Sequence, residues 1–249
     1  MSSTSAGFSK LKSVTSLIAA IAIVAIAAVM YFSGNDGGGT PPPSSGHPWT
    51  QPLSEEARGR ALTSLDTLRV AEKDDRGDYD RKAQFGSPWT DKAEDVALAG
   101  NSCDTRNDIL ARDMTEVTYR DSKQCKVDTG KLWDPYTGRT INFKYGPTSG
   151  AVQIEHLVAL KDVWMSGGDA LSQRDRIRVA NDPINLIAAD GPTNGAKGNK
   201  HAGQWMPPYE PIHCYYVASQ IRVKEKYNLT VSADEKKAME STLASCTTV

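Results

Sequence analysis

The chain reads as an α+β domain, and three observations in its 249 residues carry that reading. Val152, Ile154, His156 and Val158 alternate with their neighbours at the period of a strand. A second β-prone run spans Asn185 to Ala189. Ser172-Gln173-Arg174-Asp175 and Ser232 to Glu235 are capping-box patterns, which open one helix reaching about Ala180 and another ending near Cys246.

In front of this domain, Val14 to Phe32 carries no charge and is mostly apolar, with Lys10 and Lys12 before it. A membrane span needs about 20 apolar residues and a secretory h-region only about 7 to 15, so a single transmembrane helix fits the length better than a signal peptide. Ala25-Ile26-Ala27 is the processing site that a cleaved signal would use. Residues 1–13 are then a cytoplasmic tail and everything after Gly34 is exported. The expected location is the cell membrane with the domain outside the cytoplasm, or secretion after cleavage. Residues 33–52, rich in Gly, Pro and Ser, form a linker, and residues 53–249 the folded domain.

Within the domain, Ala57, Leu62, Leu65 and Leu68 recur at roughly helical spacing. The charged stretch from Asp74 to Ala83 reads as surface loop, and Asp104 to Met114 as a helix packed by one face. Pro135-Tyr136-Thr137-Gly138 lies between two β-prone runs in Leu132 to Phe143, the pattern of a hairpin. Gly191-Pro192-Thr193 leads into a short helix carrying Asn194 and Lys197.

Charge is nearly balanced, with 29 basic and 30 acidic residues and a net charge of −1. No global field draws in a polyanion, so any nucleic-acid contact is local. The four cysteines, Cys103, Cys125, Cys214 and Cys246, all follow the apolar segment, and an even count in an oxidising compartment reads as two disulfides. Three pairings are open and sequence does not choose among them; the favoured one joins Cys103 to Cys125 and Cys214 to Cys246. Structural zinc is the rival reading, weakened by the lack of any CxxC pair.

Glu155 and His156, with Asn185 and Asn194 behind them, speak most directly of chemistry. Phosphodiester hydrolysis needs charge neutralised on the phosphate, a water deprotonated and a leaving oxygen stabilised. Glu155 and the side-chain oxygen of Asn194 could hold one divalent cation, Mg2+ ahead of Mn2+ or Ca2+ because the ligands are all oxygen. His156 suits the role of base, and Asn185 that of holding His156 or its loop. Lys197 and Lys200 are candidate phosphate contacts. Bland readings stand beside these: a Glu-His dipeptide is usually a surface pair, Asn favours turns, and lysines solvate helix faces. Adjacent strand residues face opposite sides, so the strand must end or bulge at Glu155-His156 for both to serve one centre.

From about Tyr79 to Cys246 the chain resembles exported HNH endonuclease family proteins of actinobacteria, related to the C-terminal domain of the GmrSD type of modified-DNA restriction enzymes. The matching stretches are Cys103 to Asp113, Asp134 to Gly138, Val152 to Leu160, Ala180 to Asp190, Asn194 to Gly198 and Trp205 to Pro208. The resemblance implies a ββα-metal core with added helices, His156 as general base, Glu155 and Asn194 as metal ligands, and Asn185 as the middle asparagine. It implies a nucleic-acid partner, DNA ahead of RNA, and hydrolysis leaving a 5′-phosphate. Membrane contact would run through the N-terminal segment, and no protein partner is inferable. The competing expectation is a catalytically inactive surface-binding or structural module on the same scaffold. Arg106, Asn107, Asp108, Arg112 and Asp113 read as a buried ion-pair cluster bracing the N-terminal half.

Overall fold

A computed structural model describes residues 52–75 and 77–247. The apolar segment at 14–32, the tail before it and nearly all of the linker lie outside these residues. Among the described residues, no helix is long and apolar enough to cross a membrane.

The first helix, α1 (Glu55–Thr67), starts where the Ser54 hydroxyl accepts from the Ala57 amide, and it buries Ala61 and Leu65. The charged stretch after it ends in a one-turn helix, α2 (Arg81–Phe85), capped by Asp80. Such a short helix carries no periodicity, which is why the sequence reads as loop through Ala83. Helix α3 (Thr105–Asp113) is capped by Asp104 and buries Ile109 and Leu110. Strands β1 (Met114–Tyr119), β2 (Val127–Asp134) and β3 (Arg139–Lys144) then form an antiparallel sheet in that order. The β2–β3 turn falls on Pro135 to Gly138, as its residues predict, with Asp134 paired to Arg139. Gly138 adopts φ +67°, and a Cβ there would lie 2.5 Å from the Tyr209 ring, so a side chain is excluded twice over.

Strands β4 (Val152–His156) and β5 (Leu186–Asp190) pair antiparallel from Val152↔Asp190 to His156↔Leu186. The helices α4 (Leu160–Met165) and α5 (Gln173–Asn181) connect them, and α6 (Gly191–Lys197) follows β5 directly. Gly191 is required at that junction because a Cβ would meet the Gly150 carbonyl oxygen at 2.3 Å. Helices α7 (His213–Lys226) and α8 (Ala233–Ser245) close the fold, α8 through the capping box of Ser232 and Glu235.

This two-stranded sheet lies between two cores. On one face Val152, Ile154, Leu186 and Ala188 pack with Ile109, Leu132 and Phe143. On the other, Ile187 and Ala189 pack with Leu65, Tyr216 and Met239. Strands buried on both faces read as apolar runs rather than alternation, which is what Leu186 to Ala189 shows. Each fully buried Leu or Ile contributes about 1.5–3 kcal/mol. The disulfides are Cys103–Cys125 and Cys214–Cys246, the favoured pairing, and they leave no free cysteine for zinc.

Candidate functional site

Strand β4 ends at His156 with its register unbroken through Glu155↔Ile187 and His156↔Leu186. Without a bulge, the alternation of a regular strand sends the two side chains to opposite faces of the sheet. Glu155 turns toward the α7 side. The Lys197 ammonium lies 2.5 Å from its Oε1 and also donates to the His156 carbonyl at 3.1 Å. Both side chains are buried, Lys197 completely. Burial pushes the Glu155 carboxyl up, and Lys197 opposes that shift. The Glu155 charge adds to burial in raising the phenols of Tyr136 and Tyr216. Asn194, half-buried on α6, donates through Nδ2 to Gln153 Oε1 at 3.0 Å. Gln153 shares the Glu155 face of β4, so Asn194 belongs to that side too.

His156 turns the other way. Its Nε2 lies 2.9 Å from the Ala180 carbonyl oxygen, which can only accept, so Nε2 donates and the neutral ring carries its lone pair on Nδ1. The imidazole stacks on the Trp89 indole, with centroids 5.5 Å apart and planes 13° apart. Burial drives the His156 pKa down to about 3, against the Ala180 bond, and the Arg81 and Lys197 charges push the same way. Arg81, exposed on α2, lines a small crevice of about 10 Å3 beside His156 together with Phe85 and Trp89. Trp89 itself holds φ +59°. Such a conformation costs a bulky residue about 1–3 kcal/mol and is often found at functional sites.

Asn185 is fully buried and ties the loop after β4 rather than the imidazole. Its Oδ1 accepts from the Val158 amide at 2.8 Å, and its Nδ2 donates to the carbonyls of Val158 and Val179, each at 3.2 Å. Lys197, read as a phosphate contact, is inside the protein beside Glu155. Lys200 is exposed and donates to the Ala196 carbonyl at 2.6 Å. His201 is buried, and its Nδ1 accepts from the Gly203 amide. The structure brings Glu155, Lys197 and Asn194 to one side of β4, and His156, Trp89 and Arg81 to the other.

The charged residues of α3 include one part-buried ion pair, Arg112 with Asp113, and brace β4 and β5 chiefly through backbone groups. Arg106 donates to the Val152 carbonyl at 3.0 Å. Arg112 donates to the Pro183 and Leu186 carbonyls, and Asp113 accepts from the Ala188 amide at 2.7 Å. Arg112 also pairs with Asp113. Asp134, fully buried, accepts from the Asp190 amide at 2.8 Å and so fixes the β5–α6 junction. Sequence reasoning missed Trp89 and Arg81; Arg81 was read as part of a charged surface loop, and Trp89 offered no signal beyond its aromatic ring.

Among the described residues, no group of three or more His, Cys, Asp or Glu could hold a metal ion. The donors at the expected place are oxygens: the Glu155 carboxylate and Asn194 Oδ1, left over once Nδ2 bonds Gln153. Oxygen donors are the chemistry of Mg2+ rather than of zinc, but the Lys197 ammonium already occupies the Glu155 carboxylate, so a cation there would have to displace it.

Residues 104–241 match the family model described as GmrSD restriction endonucleases, C-terminal domain. The chain belongs to this family. The match starts at Asp104, the cap of α3, and ends inside α8, so it takes in both strands of the central sheet and α6. A relative named "Uncharacterized secreted protein", from Arthroderma benhamiae, is 35% identical over 153 residues, which is 61% of this chain and 71% of the relative. No solved structure matches.

Proposed function

We propose that the protein is an exported, metal-dependent endonuclease of the HNH type, which hydrolyses nucleic-acid phosphodiesters with His156 as general base. One observation carries the reading: in a chain of a restriction-endonuclease family, strand β4 ending in Glu155-His156 pairs antiparallel with β5, which Asn185 directly precedes, and β5 runs straight into helix α6, which carries Asn194. That order supports a ββα-metal core.

In this reading Glu155 and Asn194 would hold the divalent cation, which when bound neutralises charge on the phosphate and the leaving oxygen, and the end of β4 would have to turn for that cation and His156, now on opposite faces, to meet one phosphate. The Ala180 carbonyl keeps His156 in the tautomer whose Nδ1 takes the proton of the attacking water, for in-line displacement that leaves a 5′-phosphate. A pKa of about 3 keeps the imidazole neutral near pH 7, hence in the base form, though weakly basic. A phosphate beside it stabilises the imidazolium and raises that basicity. Asn185 holds the loop that follows His156. Two disulfides and a relative named as secreted support action outside the cytoplasm, after export through residues 14–32 as anchor or signal. DNA is the favoured substrate over RNA.

The purified protein should cut nucleic acid with Mg2+ or Mn2+ and stop when the metal is chelated. Glu155→Gln and Asn194→Ala should each raise the Mg2+ concentration needed for half-maximal cleavage. Metal-independent cleavage would remove the HNH assignment.

A second reading, an inactive binding or structural module, draws on one specific observation: Glu155 is neutralised by buried Lys197 on the face opposite His156. An intact fold with unchanged metal affinity in the Glu155→Ala, Asn194→Ala double variant would favour it.

A further inference from the structure

A second, wider cleft shares the Trp89 wall with the His156 crevice. Its volume is about 550 Å3, within the range of ligand pockets. The floor is apolar, formed in part by Phe143 from the core beneath β4. Its rim is cationic. Arg106, Arg120 and Lys126 line it, against one carboxylate, Asp104, which Lys126 pairs at 2.7 Å. Arg106 is bonded to backbone carbonyls and shares the field of Asp104 with Lys126, which leaves three cations against the one lining carboxylate. In a chain of net charge −1 this local excess is the kind of feature that attracts a polyanion.

Aromatic faces accompany the charge. The Arg120 guanidinium lies 3.3 Å from the centroid of the Tyr145 ring, and Tyr145 is 51% exposed. The rim is also held in place before any ligand arrives. The Arg120 amide donates to the Lys126 carbonyl at 2.7 Å, Asp121 Oδ1 accepts from the amides of Cys125 and Lys126, and the Cys103–Cys125 disulfide pins the same turn to the start of α3. Preorganisation of this sort lowers the cost of binding.

We propose that this cleft binds an unpaired nucleic-acid strand, its phosphates on Arg120 and Lys126 and a base on Tyr145, and leads it past Trp89 to His156. Cations beside exposed aromatic rings are the combination that binds single strands, because a duplex keeps its base faces stacked on each other and offers the rings nothing. Binding stands on the cleft alone; delivery to His156 rests on the nuclease reading.

Fluorescence anisotropy of labelled oligo-dT and of a duplex of equal length, with the full chain in EDTA, tests the binding. The single strand should bind about tenfold tighter or more. Tyr145→Leu should weaken it by about fivefold or more, from the loss of one stacked base, and Tyr145→Phe should restore it. Arg120→Gln with Lys126→Gln should weaken it further and cut the salt slope by roughly 1.4, at about 0.7 per lost contact on a single strand. Tighter binding of the duplex, or variants that stay folded and bind like wild type, would overturn the proposal. So would a sulfated polysaccharide that competes fully while Tyr145→Leu has no effect. Strand binding without cleavage in Mg2+ would sink the nuclease reading and leave the cleft standing. Wild-type cleavage of single strands by the variants would do the reverse.

Discussion

Asn185 makes three hydrogen bonds from a side chain with no exposure, two to the Val158 backbone in the loop after His156 and one to the Val179 carbonyl in α5. Asn185→Ala would leave the Val158 amide without its acceptor and two carbonyls short of a donor. At about 1–3 kcal/mol for an unsatisfied buried group, urea denaturation should show a loss of roughly 3 kcal/mol. His156 gives a pH signature. Its pKa is about 3 in the fold and near 6.5 unfolded, so between those values the unfolded chain binds a proton that the native one does not. Stability from this residue is therefore lost as pH falls from about 6.5 to 3. Glu155, raised by burial, acts with the opposite sign: its contribution is present at low pH and lost as pH rises above the usual carboxylate range. His156→Gln should therefore flatten the acid limb of the stability–pH curve, which chemical denaturation across that range would measure. At this scale the residue types were legible in the sequence, since Glu155, His156, Asn185 and Asn194 cluster around one small sheet. Their directions were not. Whether Lys197 meets phosphate or Glu155 depends on the turn of α6 against β4, which spacing does not encode.

At the scale of elements, α3 is the buttress of the central sheet. Arg112 holds the carbonyls on either side of the β5 start, and Asp113 holds the Ala188 amide inside it. Asp113→Ala should cost about 3 kcal/mol, since it strips a charged acceptor from a buried amide and removes the carboxylate that Arg112 pairs with. Hydrogen exchange should find the Ala188 amide among those most accelerated, ahead of amides in α8. Elements with local signals were read correctly: the β2–β3 hairpin from its turn, α5 and α8 from their capping boxes. Those without such signals were missed. Helix α7 is built from Tyr215, Tyr216, Val217, Ile221 and Val223, weak helix formers buried on several sides, so it shows neither propensity nor a clean amphipathic stripe. Strand β1 is mostly exposed and bulged between Thr115 and Thr118, so it lacks the alternation that marks a strand.

Across the whole molecule, the two disulfides close 22- and 32-residue separations, and each is worth about 3–4 kcal/mol on the chain-entropy model. Cys214–Cys246 joins the start of α7 to the end of α8, the two helices that cover the Glu155 face. Reduction should therefore lower the denaturation midpoint strongly. The Cys214→Ser, Cys246→Ser pair should lose stability by that amount while keeping the Cys103–Cys125 bond, which mass mapping would verify. The α+β class was legible because it rests on local patterns, whereas the cysteine pairing, left open by the sequence, is settled in favour of the preferred one by the fold. The sandwiching of β4–β5 between two cores was not, because it is a long-range arrangement. The central claim at this scale is that the buried, neutral His156 serves as the base of a nuclease. Its most direct test is digestion of single-stranded DNA, duplex DNA and RNA by wild type and by His156→Ala, with Mg2+ and at matched fold stability. Cleavage by wild type and a fall of about 100-fold or more in the variant is the predicted result; no cleavage by wild type, or equal cleavage by both, would contradict it.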